Sequence, residues 1–202
     1  KIPGTTFEVF VDGTDLEQWT AEYCQTHIRR WTNTPTPSDF QDTKRREFLI
    51  GCLRAWNEDG VLVRFSINMA NRQRIGFVIA LLEENSVVFH ATTFEPEFAK
   101  FSPGKALIHD IVSWMAKQKI RILDFGDGNE TYKYEVANQE HVLNRIFICG
   151  KSQLPFIAKT KIIKFVKDHP KLYQMYQRNL KPLAAKAAAL LHLPEILEML
   201  FV

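Results

Sequence analysis

Residues 94–133, FEPEFAKFSPGKALIHDIVSWMAKQKIRILDFGDGNETYK, carry most of the functional information in this chain of 202 residues. Within them, SPGKA at 102–106 lies between a β-rich run and an amphipathic helical segment. The first N–H groups of a helix have no partner within it, and its N-terminus carries roughly half a positive charge. A glycine in such a turn leaves those groups open to a ligand. The segment therefore predicts a phosphate-binding turn.

A second loop, GDGNE at 126–130, follows β-forming residues at 120–125 and precedes Tyr132 and Lys133. It brings several ionisable groups to the end of a strand, which favours a reactive site. An Asp-Gly-Asn sequence also forms turns, however, and Glu130 suits the cap of a short helix. The residues alone leave both interpretations open.

The remaining sequence has a mixed α/β pattern. Two amphipathic helical segments follow a first strand, and three β-rich runs separated by short polar turns form a meander. A helix, a strand, a short helix and a last strand complete the order β-α-α-β-β-β-α-β-α-β. The predicted ranges are 7–11, 14–33, 38–59, 61–67, 75–82, 87–93, 104–117, 120–125, 131–136 and 142–149. We therefore expect an α/β fold with a central mixed sheet flanked by helices.

The composition is that of an ordinary globular protein, with 46% hydrophobic and 24% charged residues. No run of 18 apolar residues marks a membrane span. Cys24, Cys52 and Cys149 are odd in number and far apart, which favours free thiols in a reducing compartment over disulfides. A cytoplasmic protein is expected. Because the chain begins with Lys1 rather than Met, we also expect it to be part of a longer protein.

Basic residues are concentrated towards the C-terminus. Residues 151–186 contain nine lysines and arginines but only one acidic residue, Asp168. This imbalance predicts a catalytic or binding domain at 1–150 and a basic helical extension at 151–202. Its segment 156–166 suits a helix on an anionic membrane surface, or one packed on the domain with its lysines in solvent. Nucleic-acid binding is not expected, and the final apolar segment could pack on a second subunit to form an oligomer.

Several other chemistries lack their motifs. The six histidines have no close metal-ligand spacing and no Cys-x-x-Cys occurs, so no metal is expected. The sequence also has no Gly-x-Ser-x-Gly elbow, no Walker loop and no nucleotide-binding Gly-x-Gly-x-x-Gly. These absences argue against hydrolases, kinases and dehydrogenases.

The order of elements, with a phosphate-type turn before the third helix, resembles the GNAT acyltransferase superfamily. Local patterns are similar to its CelD/BcsL-type acetyltransferases, which are associated with exopolysaccharide or cellulose production and are distant relatives of FemAB-type aminoacyl transferases. The resemblance covers residues 5–150. The patterns that carry it are Arg30-Trp31, Phe94-Glu95-Pro96 with Ala99 to Gly104, and Asp124-Phe125-Gly126-Asp127 with Glu130-Thr131-Tyr132-Lys133.

The resemblance implies an acetyl-CoA site at the turn. Most GNAT proteins have Gln or Arg, two free positions, Gly, one free position and then Gly or Ala, with backbone amides that hold the CoA pyrophosphate. Gly104 and Ala106 fit this pattern, while Phe101 stands at the Gln/Arg position. A neighbouring lysine could supply the missing positive charge. The expected cofactor-binding residues are Lys100, Ser102, Gly104, Lys105 and Ala106.

Acyl transfer from a thioester needs a base for the incoming amine or hydroxyl and an acid for the departing thiolate. In many GNAT proteins a tyrosine after the fifth strand is the acid, and the resemblance assigns that role to Tyr132. Glu130 or Asp127 is then the expected base. His90, on the strand that should border the thioester, is a further candidate base; it could equally be a packed strand histidine.

The first helices of such folds face the acceptor, and His27, Arg30 and Trp31 lie there. Trp31 could instead belong to the core. Lys133 is expected near the acceptor or a phosphate. The expected function is an acetyl-CoA-dependent N- or O-acetyltransferase acting on a small molecule or a saccharide such as a cell-envelope precursor. The alternatives are a FemAB-like aminoacyl transferase and a non-catalytic binding module derived from the same fold.

Overall fold

The computed structural model describes residues 4–34, 37–128, 130–144, 157, 161–162, 164–166 and 168–175. The chain divides into two compact units. One comprises Lys1–Asn33 with Pro37–Val142, and the other Thr34–Thr36 with Leu143–Val202. The first unit contains all the strands of the described residues.

A five-stranded sheet in the order β1-β2-β3-β4-β5 forms the centre of the first unit. The first four strands pair antiparallel, whereas β5 pairs parallel with β4 because a helix crosses between them. The strands are β1 Thr5–Phe10, β2 Leu62–Met69, β3 Arg74–Glu83, β4 Ser86–Phe94 and β5 Ile122–Asp124.

Helices cover both faces of this sheet. Alternation along β3 sends Phe77 and Ile79 to the α1–α2 layer and Val78 to the α3 layer. Trp19 of α1 packs edge-on against Phe77, with ring centroids 5.3 Å apart. On the other face, α3 buries Leu107 completely. The helices are α1 Leu16–Trp31, α2 Thr43–Glu58, α3 Pro103–Gln118 and α4 Thr131–Val136, with 3-10 helices at Asp39–Gln41 and Pro96–Phe101.

In the second unit, helix α5 spans Pro170–Met175. Most of the predicted basic extension lies outside the described residues. None of the described helices has the length and apolar character needed to cross a membrane. The membrane-surface and subunit-contact interpretations of this region stay predictions.

The predicted α/β class is confirmed, and the first nine predicted elements occur in the predicted order. Strand β5 is only three residues long, shorter than predicted. The last predicted strand, 142–149, is not seen at 142–144, and its remainder, with Cys149, lies outside the described residues. Cys24 is buried and Cys52 half-buried, and both are free thiols.

Gly76 of β3 allows α3 to begin close to the sheet. A Cβ atom at this position would lie 3.1 Å from Cδ1 of Leu107 and 3.8 Å from Cβ of Pro103. Both neighbours are buried. The missing side chain therefore helps to position the first turn of α3.

Replacing Gly76 with Ala is expected to lower the free energy of unfolding by about 1–3 kcal/mol, because the buried Leu107 has little room to move. Urea unfolding measures this loss. The matched control is Gly51→Ala in the exposed part of α2, where an added Cβ meets no atom within 4 Å. That change should stabilise the protein by about 0.5–1 kcal/mol, and equal effects of the two substitutions would contradict the packing argument.

Candidate active site

The parallel pair β4–β5 separates after three residues. Pairing covers Ser86 to Val88 on β4 and Ile122 to Asp124 on β5. Strand β4 then continues to Phe94, but the chain after Asp124 turns away. Two features stop β5 there: the Gly126 N–H donates a 2.7 Å hydrogen bond back to Oδ1 of Asp124, and Gly126 has a left-handed φ of 65°.

A cleft of about 420 Å³ lies where the two strands separate. Its walls come from two segments that are distant in sequence: β4 on one side, and the loop after β5 with the start of α4 on the other. The lining residues are 88–92, 125–127, 130, 132 and 133. Of the predicted site residues, the cleft thus brings together His90, Asp127, Glu130, Tyr132 and Lys133.

A β-bulge at His90 changes the direction of side chains along one wall. Ala91 pairs with Ile79 and Phe89 pairs with Ala80, so His90 is an extra residue in β4. Phe89 packs in the α3 layer and Ala91 in the α1–α2 layer. The exposed His90 ring packs edge-on against Trp56 of α2 at 5.3 Å.

Tyr132 enters the cleft from the other layer. Its ring lies 6.2 Å from Phe125, which in turn lies 5.6 Å from Phe89, and all three belong to the α3-side packing. Burial raises the pKa of Tyr132 above its ordinary value. The hydroxyl therefore keeps its proton at neutral pH and is available as a hydrogen-bond or proton donor.

Lys133 links the loop to α4. Its side chain is only 11% exposed. Nζ donates to the Asp127 carbonyl at 2.5 Å and lies 2.9 Å from Oε2 of Glu130. The Lys133 hydrogen bond holds the pKa of Glu130 below its ordinary value. A carboxylate that binds protons more weakly and is already paired is a poor base, so the geometry disfavours Glu130 as the base. The Lys133 ammonium is engaged by groups of the protein itself.

The predicted phosphate turn lies at the start of α3, outside the cleft lining. The left-handed residue is Ser102, with φ 51°, and not the glycine. The Ser102 carbonyl accepts from the N–H groups of Lys105 and Ala106. An added Cβ at Gly104 would meet no atom within 4 Å, so there is space beside this turn for a ligand.

Side chains near this turn are partly engaged. Lys105 Nζ lies 2.5 Å from Oε2 of Glu135 on α4, which reduces the charge it can offer to a phosphate. Lys100 Nζ lies 5.0 Å from the centre of the Phe101 ring, and that ring is 47% exposed. Lys100 therefore remains the better candidate for the extra positive charge.

His27, predicted to face the acceptor, contacts the segment that follows α1. Its Nδ1 lies 2.8 Å from the hydroxyl of Ser38, and its ring packs at 5.0 Å from Phe40 and 5.8 Å from Trp31. Burial, helped by the nearby Arg30, lowers the pKa of His27. These contacts connect α1 to the 3-10 helix that follows it.

Arg30 lies at one end of the cleft, beside the lining residue Thr92. Its Nη1 donates to the Thr92 carbonyl at 3.4 Å, and its guanidinium carbon lies 3.9 Å from the centre of the Phe94 ring. The ring of Trp31 is 5.7 Å away. Arg30 thus lies beside β4 on its α1 side, next to Trp31, and the acceptor contact expected of both residues stays a prediction.

Glu95 is an important residue to which the sequence patterns assigned no role. Glu95 is only 5% exposed. Its carboxylate accepts a hydrogen bond from Thr26 at 2.5 Å and two from Arg29 at 2.5 and 3.1 Å. Burial alone would raise the pKa of Glu95, but these hydrogen bonds outweigh it and the pKa is lowered. Glu95 thereby fastens the end of α1 to the end of β4. The only sequence signal was its place before Pro96.

Among the described residues, no group of three His, Cys, Asp or Glu side chains is arranged to hold a metal ion. The site instead offers the phenol of Tyr132, the imidazole of His90, the carboxylate of Asp127 and backbone groups. Such groups can move protons and bind an extended ligand.

Residues 1–134 match the sequence model of a family described as an acetyltransferase (GNAT) domain. No protein of curated function matches the chain. Among solved structures, the chain is similar to the aminoglycoside acetyltransferase meta-AAC0020 from an uncultured soil metagenomic sample. Its complex with trehalose gives a TM-score of 0.50 at 10% identity over 74% of this chain and 99% of that one. Its complex with sisomicin gives 0.50 at 11% identity over 73% and 97%.

A further similar structure is AAC(6')-Iy in complex with the bisubstrate analogue CoA-S-monomethyl-acetylneamine. The TM-score is 0.45 at 17% identity, over 73% of this chain and 99% of that chain. At 10% and 11% identity, the likeness to the two meta-AAC0020 structures establishes the fold alone.

Replacing Glu95 with Gln is expected to destabilise the protein by about 1–3 kcal/mol, since charge-assisted hydrogen bonds to a buried group are lost. Because the pKa of Glu95 is lowered on folding, its contribution is present above the ordinary carboxyl value of about 4.3 and disappears as the pH falls through the folded-state pKa. Unfolding curves of both proteins from neutral to acid pH measure this. A difference that stays constant down to the lowest pH would contradict the ionic role of Glu95.

Proposed function

This chain belongs to the acetyltransferase (GNAT) domain family, and we propose that it transfers acetyl from acetyl-CoA directly to an amine or hydroxyl of a saccharide or related small acceptor. The observation that carries the proposal is the cleft between β4 and β5, which Tyr132 enters from the α3 layer and His90 from the α1–α2 layer. Two groups that can exchange protons thus face one space from opposite sides of the sheet. A direct transfer between two substrates needs this arrangement.

The surroundings of the cleft fit an extended CoA molecule. Beyond Val88, β4 has no β5 partner, so its backbone edge can pair with the amides of a pantetheine chain. Within the described residues, the start of α3 offers the N–H of Gly104 and the open space beside that residue for the pyrophosphate, because the N–H groups of Lys105 and Ala106 are bonded to the Ser102 carbonyl. The thioester would then lie in the cleft near Tyr132.

The residues of this chain supply the proton acceptor and the proton donor that the proposed reaction needs. The acceptor amine or hydroxyl attacks the thioester carbonyl carbon, so a C–N or C–O bond forms and the C–S bond breaks. His90 takes the proton of the attacking group, and Tyr132 gives its proton to the departing thiolate of CoA. Asp127 lines the cleft and is the alternative base. Exchange of protons with solvent restores both residues.

A saccharide acceptor is supported by the side chains at the α1–α2 side of the cleft. Trp56 adjoins His90, and Arg30, which lies near the Trp31 ring, adjoins Thr92. Aromatic rings beside hydrogen-bonding side chains suit the apolar faces and hydroxyl edges of sugars. The similar enzyme meta-AAC0020 forms a complex with trehalose. The proposed acceptors include saccharide precursors of the cell envelope.

Replacing Tyr132 with Phe is expected to lower kcat by about 100-fold or more because the thiolate loses its proton donor. The Kd of acetyl-CoA, measured by calorimetry, should change little. Tyr134→Phe on the same helix is the matched control, since Tyr134 is 58% exposed and lies outside the cleft lining. Turnover is measured as CoA release with a panel of amino sugars. Equal turnover of both variants would remove Tyr132 from the mechanism.

Replacing Gly104 with Leu is expected to weaken CoA binding more than tenfold, since the side chain would fill the space assigned to the pyrophosphate. The fold should persist because no atom lies within 4 Å of the new Cβ. Gly51→Leu, on α2, is the control and should leave the Kd unchanged. Calorimetric titration with CoA decides the matter, and unchanged binding to the Gly104 variant would place the CoA phosphates elsewhere.

A further inference from the structure

Arg30 carries a charge for which the described residues provide no carboxylate. Its Nη1 donates one long hydrogen bond, 3.4 Å, to the Thr92 carbonyl, and no ion pair to Arg30 occurs in the described part of the chain. A guanidinium has five N–H donors and stays protonated. Most of its hydrogen-bonding capacity is therefore available to a ligand.

The neighbouring arginines differ from Arg30 in this respect. Arg29 is paired with the buried carboxylate of Glu95, and Arg74 with Asp15 and Glu22. Arg64 lies deep in the α1–α2 layer, where its Nη2 donates to two backbone carbonyls. Only Arg30, of these four, combines an unpaired charge with a position at the cleft.

The position of the guanidinium is fixed by stacking. It lies over the Phe94 ring at 3.9 Å and near the Trp31 ring at 5.7 Å. Stacking orients the planar group while its edge remains free to form hydrogen bonds. Its charge also acts on the hydroxyl of Tyr132 across the cleft. Arg30 is thus held beside the reacting centre, on the side from which an acceptor would approach.

We propose that Arg30 binds an anionic group of the acceptor, a phosphate or a carboxylate, so that the acceptor is an acidic sugar and not a polycationic amine. This inference rests on the acetyltransferase function proposed above. A guanidinium fork matches the two oxygens of either anion with two parallel hydrogen bonds. Unlike the carboxylates that pair with the other arginines, this partner is part of the substrate.

Three sugars that share one amine provide the test: glucosamine, glucosamine 6-phosphate and muramic acid, which carry no anion, a phosphate and a carboxylate. Each is titrated calorimetrically into the full chain saturated with CoA. At least one anionic sugar should bind about tenfold more tightly than glucosamine, as a bidentate charged contact allows. The preferred sugar shows whether the group is a phosphate or a carboxylate.

Arg30→Met should remove this preference, and Arg30→Lys should retain part of it because the charge remains but the fork is lost. Arg54→Met is the matched control, since Arg54 is an exposed arginine that pairs with Glu17. The Arg54→Met variant should show the same preference for the anionic sugar as the unmodified chain. Equal binding of all three sugars, no binding of any, or a preference that survives in Arg30→Met would overturn the inference. CoA binding is titrated separately with the same samples. Only a failure to bind CoA would count against the acetyltransferase site itself.

Discussion

The separation of β4 from β5 after three paired residues is the constraint on which the site depends. Parallel strands that stayed paired would leave no space between them, and the backbone groups of β4 beyond Val88 would be used within the sheet. The hydrogen bond from Gly126 to Asp124 ends β5 and sends the chain into the loop that carries Asp127. A local turn thus creates both the cleft and one of its walls.

The two layers of helices give the cleft two chemically different sides. On the α3 side, Tyr132 is held by aromatic packing, and burial raises the pKa of its hydroxyl. On the α1–α2 side, His90 and Arg30 stand beside tryptophan rings. Glu95 fixes the end of α1 to the end of β4. The two walls of the cleft therefore present different side chains from the two faces of the sheet.

Periodicity was enough to predict the helices and most strands, because each buries one regular face against the sheet. The resemblance to GNAT acetyltransferases correctly implied the family, and it directed attention to the segment that contains Tyr132. Contacts between distant residues could not be predicted from local patterns. The pairing of His27 with Ser38 depends on how α1 meets the next segment. The Lys133 bond that weakens Glu130 as a base depends on the loop geometry, and the left-handed residue at the α3 turn proved to be Ser102.

The bulge at His90 also bears on how this strand can change over evolution. Because one extra residue shifts the alternation, Phe89 and Ala91 belong to opposite layers although both have odd numbers. Loss of the His90 codon would leave Phe89 and Ala91 as adjacent residues of a regular strand, paired with Ala80 and Ile79. Adjacent strand residues face opposite sides of a sheet, so both side chains would keep their present layers. A one-residue insertion at this point therefore adds His90 to the wall of the cleft while the packing of both helical layers is kept.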